Sequence, residues 1–156
     1  MDVVLRPIEA TDDDVLFELM RDPESVRTAA FTARDPDDRE AFDAHRARIR
    51  ARTDVTECAV VHGGRLVGSI ACFVVEGDTE ITYWIDRAVW GQGIASRALA
   101  LFLDLVPTRP LHASAASDNA GSLKVLGRAG FVVVGTGTGY ANARGAEIGE
   151  TFLRLD

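Results

Sequence analysis

Between Trp90 and Ser96 the chain reads Trp-Gly-Gln-Gly-Ile-Ala-Ser, small residues that lead straight into an apolar pattern of helical spacing. Small side chains let backbone N–H groups approach a ligand closely, and at a helix N-terminus those groups lie at the positive end of the helix dipole. The chemistry expected is anion binding, with the amides of Gly91, Gln92, Gly93, Ile94, Ala95 and Ser96 as donors and Trp90 at the entrance. Two familiar phosphate loops are excluded. A dinucleotide fingerprint needs Gly or Ala where Ser96 stands, after a parallel strand running straight into the turn, and a P-loop needs Gly-Lys-Ser/Thr. A second group, Asp118-Asn119-Ala120-Gly121-Ser122, opens a later helical stretch that closes at Gly130-Phe131. Asn119 and Ser122 are its candidate site residues, and as bare residues they fit equally an N-cap and a first-turn serine bonding within the helix start.

The elements that must hold these groups follow from pattern. Val3 to Arg6 read as a short strand, and Thr11-Asp12-Asp13-Asp14 as a capping box opening a helix with Val15, Leu16, Leu19 and Met20 on its apolar face, ended by Pro23. A second helix is expected from Asp35-Pro36, acidic at its start and carrying Arg46, Arg48, Arg50 and Arg52 toward its end, the charge order a helix dipole favours; solvation accounts for the arginines without a ligand. Three apolar runs, Glu57 to Val61, Leu66 to Val75 and Glu80 to Ile85, are separated by turn residues and predict an antiparallel meander. Ile94, Ala98, Phe102 and Leu105 recur at helical spacing before Pro107 and Pro110. A strand at Leu111 to Ala116, a helix from Asn119 to Ala129, and strands at Phe131 to Val134 and Ile148 to Leu155 complete the chain. Gly135, Gly137 and Gly139 alternate without a helix to follow, so they are expected at a thin, flexible strand end.

Bulk properties bound the partners. A chain of 156 residues, 47% hydrophobic and 26% charged, suits one globular domain over residues 1–156. Its 24 acidic against 17 basic residues give a net charge of −7, which opposes binding to nucleic acid and requires any anionic ligand to be held by local features. No segment has the length and apolarity to span a bilayer, the N-terminus does not have the pattern of a signal peptide, and a cytoplasmic location is the expectation. His45, His62 and His112 fit no metal-ligand spacing, so no metal is expected. The turn at His62 to Arg65 sets Cys58 opposite Ser69 rather than Cys72, which argues against a disulfide.

Taken together, Tyr83-Trp84-Ile85, Trp90-Gly91-Gln92-Gly93-Ile94-Ala95, Asn119-x-x-Ser122 and Gly130-Phe131 resemble the GNAT acetyltransferase superfamily, and within it the RimJ/RimL-like branch; Leu5-Arg6-Pro7 adds to the likeness. The resemblance spans essentially the whole chain, with weak support only around residues 28–36. It implies a mixed α/β domain: about seven strands, mostly antiparallel, about four helices, and a parallel fourth and fifth strand that splay apart. Acetyl-CoA would lie in the splay, its pantetheine arm bonding the strand near Trp84, Ile85 and Asp86 and its pyrophosphate held by Gly91 to Ser96. Trp90 departs from the Gln or Arg usual in the superfamily, so side-chain help for the phosphate is lost.

The same likeness suggests roles. Many members place a tyrosine acid at the thioester; here the matching position is Leu126, which leaves Ser122 as the candidate hydroxyl, with Asn119 orienting the arm or a water. Glu80 is the candidate base on the fourth strand, or else a solvated strand charge. The expected partners are acetyl-CoA and an amine acceptor, either a protein or peptide N-terminus or a small molecule, with the protein a monomer or homodimer. A noncatalytic acyl-CoA sensor is the alternative, favoured by the missing tyrosine. A toxin-like enzyme acting on charged tRNA is opposed by the net charge.

Overall fold

The computed structural model describes residues 2–156. Seven strands form one sheet: β1 (Val3–Pro7), β2 (Thr56–His62), β3 (Arg65–Val75), β4 (Asp78–Ile85), β5 (Leu111–Ala116), β6 (Val132–Ala141) and β7 (Ala146–Leu155), in the spatial order β1-β2-β3-β4-β5-β7-β6. Every pair is antiparallel except β4 with β5, which run parallel and pair only at Thr79 with Leu111 and at Glu80 with His112. Beyond that vertex the two strands part, as the resemblance implies.

Five helices pack on the sheet: α1 (Asp13–Met20), α2 (Pro23–Ala29), α3 (Arg39–Ala51), α4 (Ile94–Leu105) and α5 (Ala120–Arg128). The apolar stripe of α4 buries Ile94, Ala98, Leu99 and Phe102 against Ile70, Ile81 and Ile85 of the sheet, with Leu126 of α5 in the same core. On the opposite face α1 and α3 are joined by a buried ion network. Arg46 of α3, its side chain 3% exposed, donates to both oxygens of Glu57 on β2 at 2.7 Å and to Asp13 of α1 at 3.2 Å, and Arg50 adds a 2.6 Å bond to Asp13.

Several expectations need correction, each for a local reason. The capping box expected at Thr11–Asp14 does not form: a short 3₁₀ turn covers Ala10–Asp12, and the Asp12 carboxylate is taken by Arg6 and by the Glu9 N–H. The first helix does stop before Pro23, at Met20, but Pro23 is also the first residue of α2, where its missing N–H has no helical partner to lose, and Asp22 caps that helix by accepting from the Ser25 N–H. The arginines of α3 are not all solvated, since Arg46 is buried. A register shift between Val60 and Val61 sets Cys58 opposite Ile70, not Ser69. Both thiols are free and buried. The three alternating glycines lie within β6, paired along β7, because the rings of Phe152 and Phe31 lie where side chains at Gly137 and Gly139 would point. Residues 137–147 therefore lie mostly in the β6–β7 hairpin.

Candidate active site

The parting of β4 and β5 opens a cavity of about 440 Å³ walled by α2, the C-terminal half of β4, the turn before α4, and α5. Glycine shapes both ends of that wall. At Gly68 on β3 a Cβ would lie 2.0 Å from the Trp84 carbonyl oxygen, so only glycine admits the close crossing of β4 over β3. In the turn, Gly91 and Gly93 adopt φ of 79° and 77°, the left-handed conformation that costs other residues about 1–2 kcal/mol. The chain thereby folds back so that the first amides of α4, at Ile94, Ala95 and Ser96, face the cavity without helical acceptors.

Strand alternation decides which β4 groups are free. The Asp86 N–H donates to the Val67 carbonyl at 2.7 Å, which turns the main-chain groups of Trp84 and Thr82 toward β3 and those of Tyr83 and Ile85 toward the gap. The Ile85 carbonyl is already occupied: it accepts from the Trp90 indole N–H at 2.8 Å. Thus Trp90, half exposed at the cavity rim, ties the glycine turn to the end of β4.

Of the expected cofactor contacts, Trp84, Ile85, Trp90, Gly91, Gly93, Ile94, Ala95, Ser96, Asn119 and Ser122 all line this cavity. Asp86 and Gln92 do not. The Asp86 carboxylate instead accepts from the Ala88 N–H at 2.9 Å and pairs with Arg65 at 3.0 Å, while Gln92 stands exposed in the turn. Asn119 is the N-cap of α5, its side-chain oxygen accepting from the Ser122 N–H at 3.2 Å, and it faces the cavity as well. Leu126 is buried in the core, so no side chain from that position enters the site.

Lys124 and Arg128 had no part in the expectations, and Tyr83 entered them only within the Tyr83-Trp84-Ile85 strand motif, with no chemical role. Tyr83 extends from β4 to α5, where its hydroxyl lies 2.8 Å from Ser122 Oγ and 3.4 Å from the Ser122 carbonyl. Burial pushes this phenol above its ordinary value, the Ser122 hydrogen bond pulling the other way. Lys124 and Arg128, one helical turn apart on α5, also line the cavity, and neither is paired with a carboxylate among the described residues. The available signal was their spacing with Gly121 and Val125, since Gly121, Lys124, Val125 and Arg128 stand at i, i+3, i+4 and i+7 and so share one face of α5.

Glu80 is not brought to Ser122. It stands at the vertex of the splay and lines a separate hollow of about 200 Å³ with Asp78, His112 and Phe152. Alternation puts it on the sheet face opposite Tyr83, the face on which the Trp84 indole N–H reaches the Leu19 carbonyl of α1 at 3.1 Å. Burial pushes the Glu80 carboxyl up, while neighbouring His112 pulls it down. The described residues contain no group of His, Cys, Asp or Glu arranged to hold a metal ion, and none of the described helices is long and apolar enough to cross a membrane.

A sheet parted between two parallel strands, with glycine-turn amides at the head of the gap, is the architecture of a class of acyltransferases. The family model described as acetyltransferase (GNAT) domain matches residues 2–132, and the chain belongs to that family. Among solved structures it is similar to Mycobacterium smegmatis RimJ in complex with CoA-disulfide, at 23% identity and TM-score 0.82 over 98% of this chain and 81% of that one. It is also similar to the phosphinothricin acetyltransferase of Sinorhizobium meliloti in complex with AcCoA, at 17% identity and TM-score 0.83 over 99% and 88% of the two chains. RimL, the ribosomal L7/L12 alpha-N-protein acetyltransferase, solved with coenzyme A, gives 19% identity and TM-score 0.79 over 98% and 93%. No protein of curated function matches the sequence.

Proposed function

We propose that this protein transfers the acetyl group of acetyl-CoA to a primary amine by direct attack in a ternary complex. One observation carries the reading: a single cavity joins unpaired helix-N-terminal amides at one end to the Ser122 hydroxyl at the other. Amides of Gly91 to Ser96 hold the pyrophosphate, and Lys124 and Arg128 supply the local positive charge that a chain of net charge −7 otherwise lacks. The pantetheine amides pair with the free N–H and C=O of Tyr83 and the N–H of Ile85, as an added strand would; Asp86, expected in that role, has its N–H bonded to Val67. Similar structures solved with CoA or acetyl-CoA support this assignment.

At the thioester, the amine nitrogen attacks the carbonyl carbon and the sulfur departs. A thiol of pKa about 8.5 leaves readily, so a hydrogen bond from Ser122 suffices where a full proton transfer would be needed for an alkoxide. Asn119 orients the arm. Glu80 faces its own hollow and not this cavity, so its part as base is limited to a relay through solvent around the vertex of the splay, a modest task for an α-amino group of pKa near 8 and a harder one for a lysine near 10.4. The acceptor class that fits is therefore an N-terminal or otherwise weakly basic amine. The sensor reading loses its main support, because a hydroxyl is present in the cavity although residue 126 is leucine.

The test is calorimetric titration of acetyl-CoA, with Gly93→Trp as control, followed by thiol release against peptide and small-molecule amines. Binding abolished by the substitution, with turnover on an amine, is expected. Binding without turnover on any amine would favour the sensor, and no binding would overturn the assignment.

A further inference from the structure

Tyr83 and Ser122 come from a strand and a helix 39 residues apart, and their hydroxyls meet at 2.8 Å inside the cavity. One proton lies between the two oxygens, and its owner decides what the other hydroxyl can do. A phenol is the more acidic hydroxyl and the alkyl alcohol the better acceptor, so the favoured arrangement has Tyr83 donating to Ser122 Oγ. In the reverse arrangement the other protein acceptor for the Tyr83 proton is the Ser122 carbonyl at 3.4 Å, beyond the usual length for an O–H donor. With Tyr83 as donor, the serine proton must find another acceptor, and the space Ser122 lines is the cavity.

We propose that Tyr83 is a positioning residue acting through Ser122: its phenol donates to Ser122 Oγ and thereby turns the serine O–H toward the departing coenzyme A sulfur. The inference rests on the acetyl-transfer reading above. In the step, the amine nitrogen forms the C–N bond and the C–S bond breaks with its electron pair going to sulfur. The extra proton on nitrogen is lost to solvent or to a base. Sulfur leaves as thiolate stabilised by the Ser122 O–H. A thiol of pKa near 8.5 is a stronger acid than a phenol held above its ordinary value of about 10, so Tyr83 keeps its proton and orients instead of delivering it.

The experiment compares Tyr83→Phe, Ser122→Ala, Ser122→Thr and the Tyr83→Phe/Ser122→Ala pair, measuring acetyl-CoA affinity by calorimetry and kcat by thiol release. Affinity is expected to stay within about 2-fold, whereas Tyr83→Phe lowers kcat about 5–10-fold, the worth of one neutral hydrogen bond. Ser122→Ala lowers kcat roughly 100-fold, the low end for a lost catalytic donor. The double variant should be no slower than Ser122→Ala, and Tyr83→Phe should still slow the Ser122→Thr enzyme, which keeps a hydroxyl.

Multiplying effects in the double variant would overturn the proposal, as would a Ser122→Ala enzyme of normal kcat. A Tyr83→Phe variant that loses affinity in step with kcat would also overturn it, by assigning Tyr83 to packing alone. Wild-type protein that fails to bind acetyl-CoA, or binds it and turns over no amine, would remove the underlying function, a result separable from failure of the cycle.

Discussion

At the scale of single residues, Glu80 and Trp90 make opposite kinds of prediction. Burial pushes the Glu80 carboxyl up, meaning that the folded protein holds the charged form at a cost relative to the unfolded chain. For a carboxyl raised in the folded state, stability is fully present below its unfolded pKa and is lost as pH rises through the folded one. Glu80→Gln is therefore expected to raise the thermal midpoint at pH 7 and to leave it unchanged near pH 4, while slowing turnover on amines if Glu80 relays their proton. Melting curves at the two pH values with parallel kinetics check both halves, and a variant with wild-type kcat/KM would remove Glu80 from the mechanism. Trp90 acts through one bond, its indole N–H to the Ile85 carbonyl. Trp90→Phe keeps an aromatic ring and loses that bond, so acetyl-CoA affinity should weaken about 5-fold, the worth of a neutral hydrogen bond, by calorimetry.

At the scale of elements, the site depends on how β4 leaves the sheet. Gly68 permits that departure, because a side chain there would collide with the Trp84 carbonyl, which belongs to backbone and has little freedom to move. Gly68→Ala is expected to displace the end of β4, weakening acetyl-CoA binding more than 10-fold before the rest of the fold is lost, a separation that titration and circular dichroism read independently. What was legible in the chain divides along the same line. The turn from Trp90 to Ser96 and the cap at Asn119 are local: residue type and spacing within one turn specify them. The Tyr83–Ser122 contact is not, since alternation says only that Tyr83 and Trp84 point to opposite faces, and which helix crosses which face is decided by packing. The β2–β3 register slipped by one residue for a related reason, because nothing in Val60-Val61 marks the irregularity between them. Pro23 was ambiguous by its chemistry, being equally a helix terminator and a favoured first helical residue.

At the scale of the whole molecule, both faces of the sheet bury apolar side chains but only one adds a buried ion network, and stability should reflect both contributions. The α4 and α5 face is an apolar core, in which a large-to-small change such as Phe102→Ala costs about 3–5 kcal/mol through lost burial and a cavity. The α1 and α3 face adds to its apolar contacts, among them Phe17 of α1 against Phe42 of α3, the buried Arg46, which bridges Asp13 of α1 and Glu57 of β2 from within α3. That pairing does not imply a large net stabilisation, since burying charges offsets much of their attraction. Its removal is nonetheless expensive, because Arg46→Ala strands the Glu57 carboxylate with no other arginine bonded to it and leaves Asp13 with Arg50 alone. The expected loss is about 3–5 kcal/mol, comparable to emptying the apolar core, whereas Arg48→Ala on the exposed side of the same helix should stay within about 0.5 kcal/mol. Replacing Arg46 and Glu57 together by apolar residues of similar volume should recover part of the loss, since no carboxylate of the pair would then be left buried and alone. Urea unfolding of the three variants measures the difference, and an Arg46→Ala protein as stable as Arg48→Ala would mean that water already solvates the network.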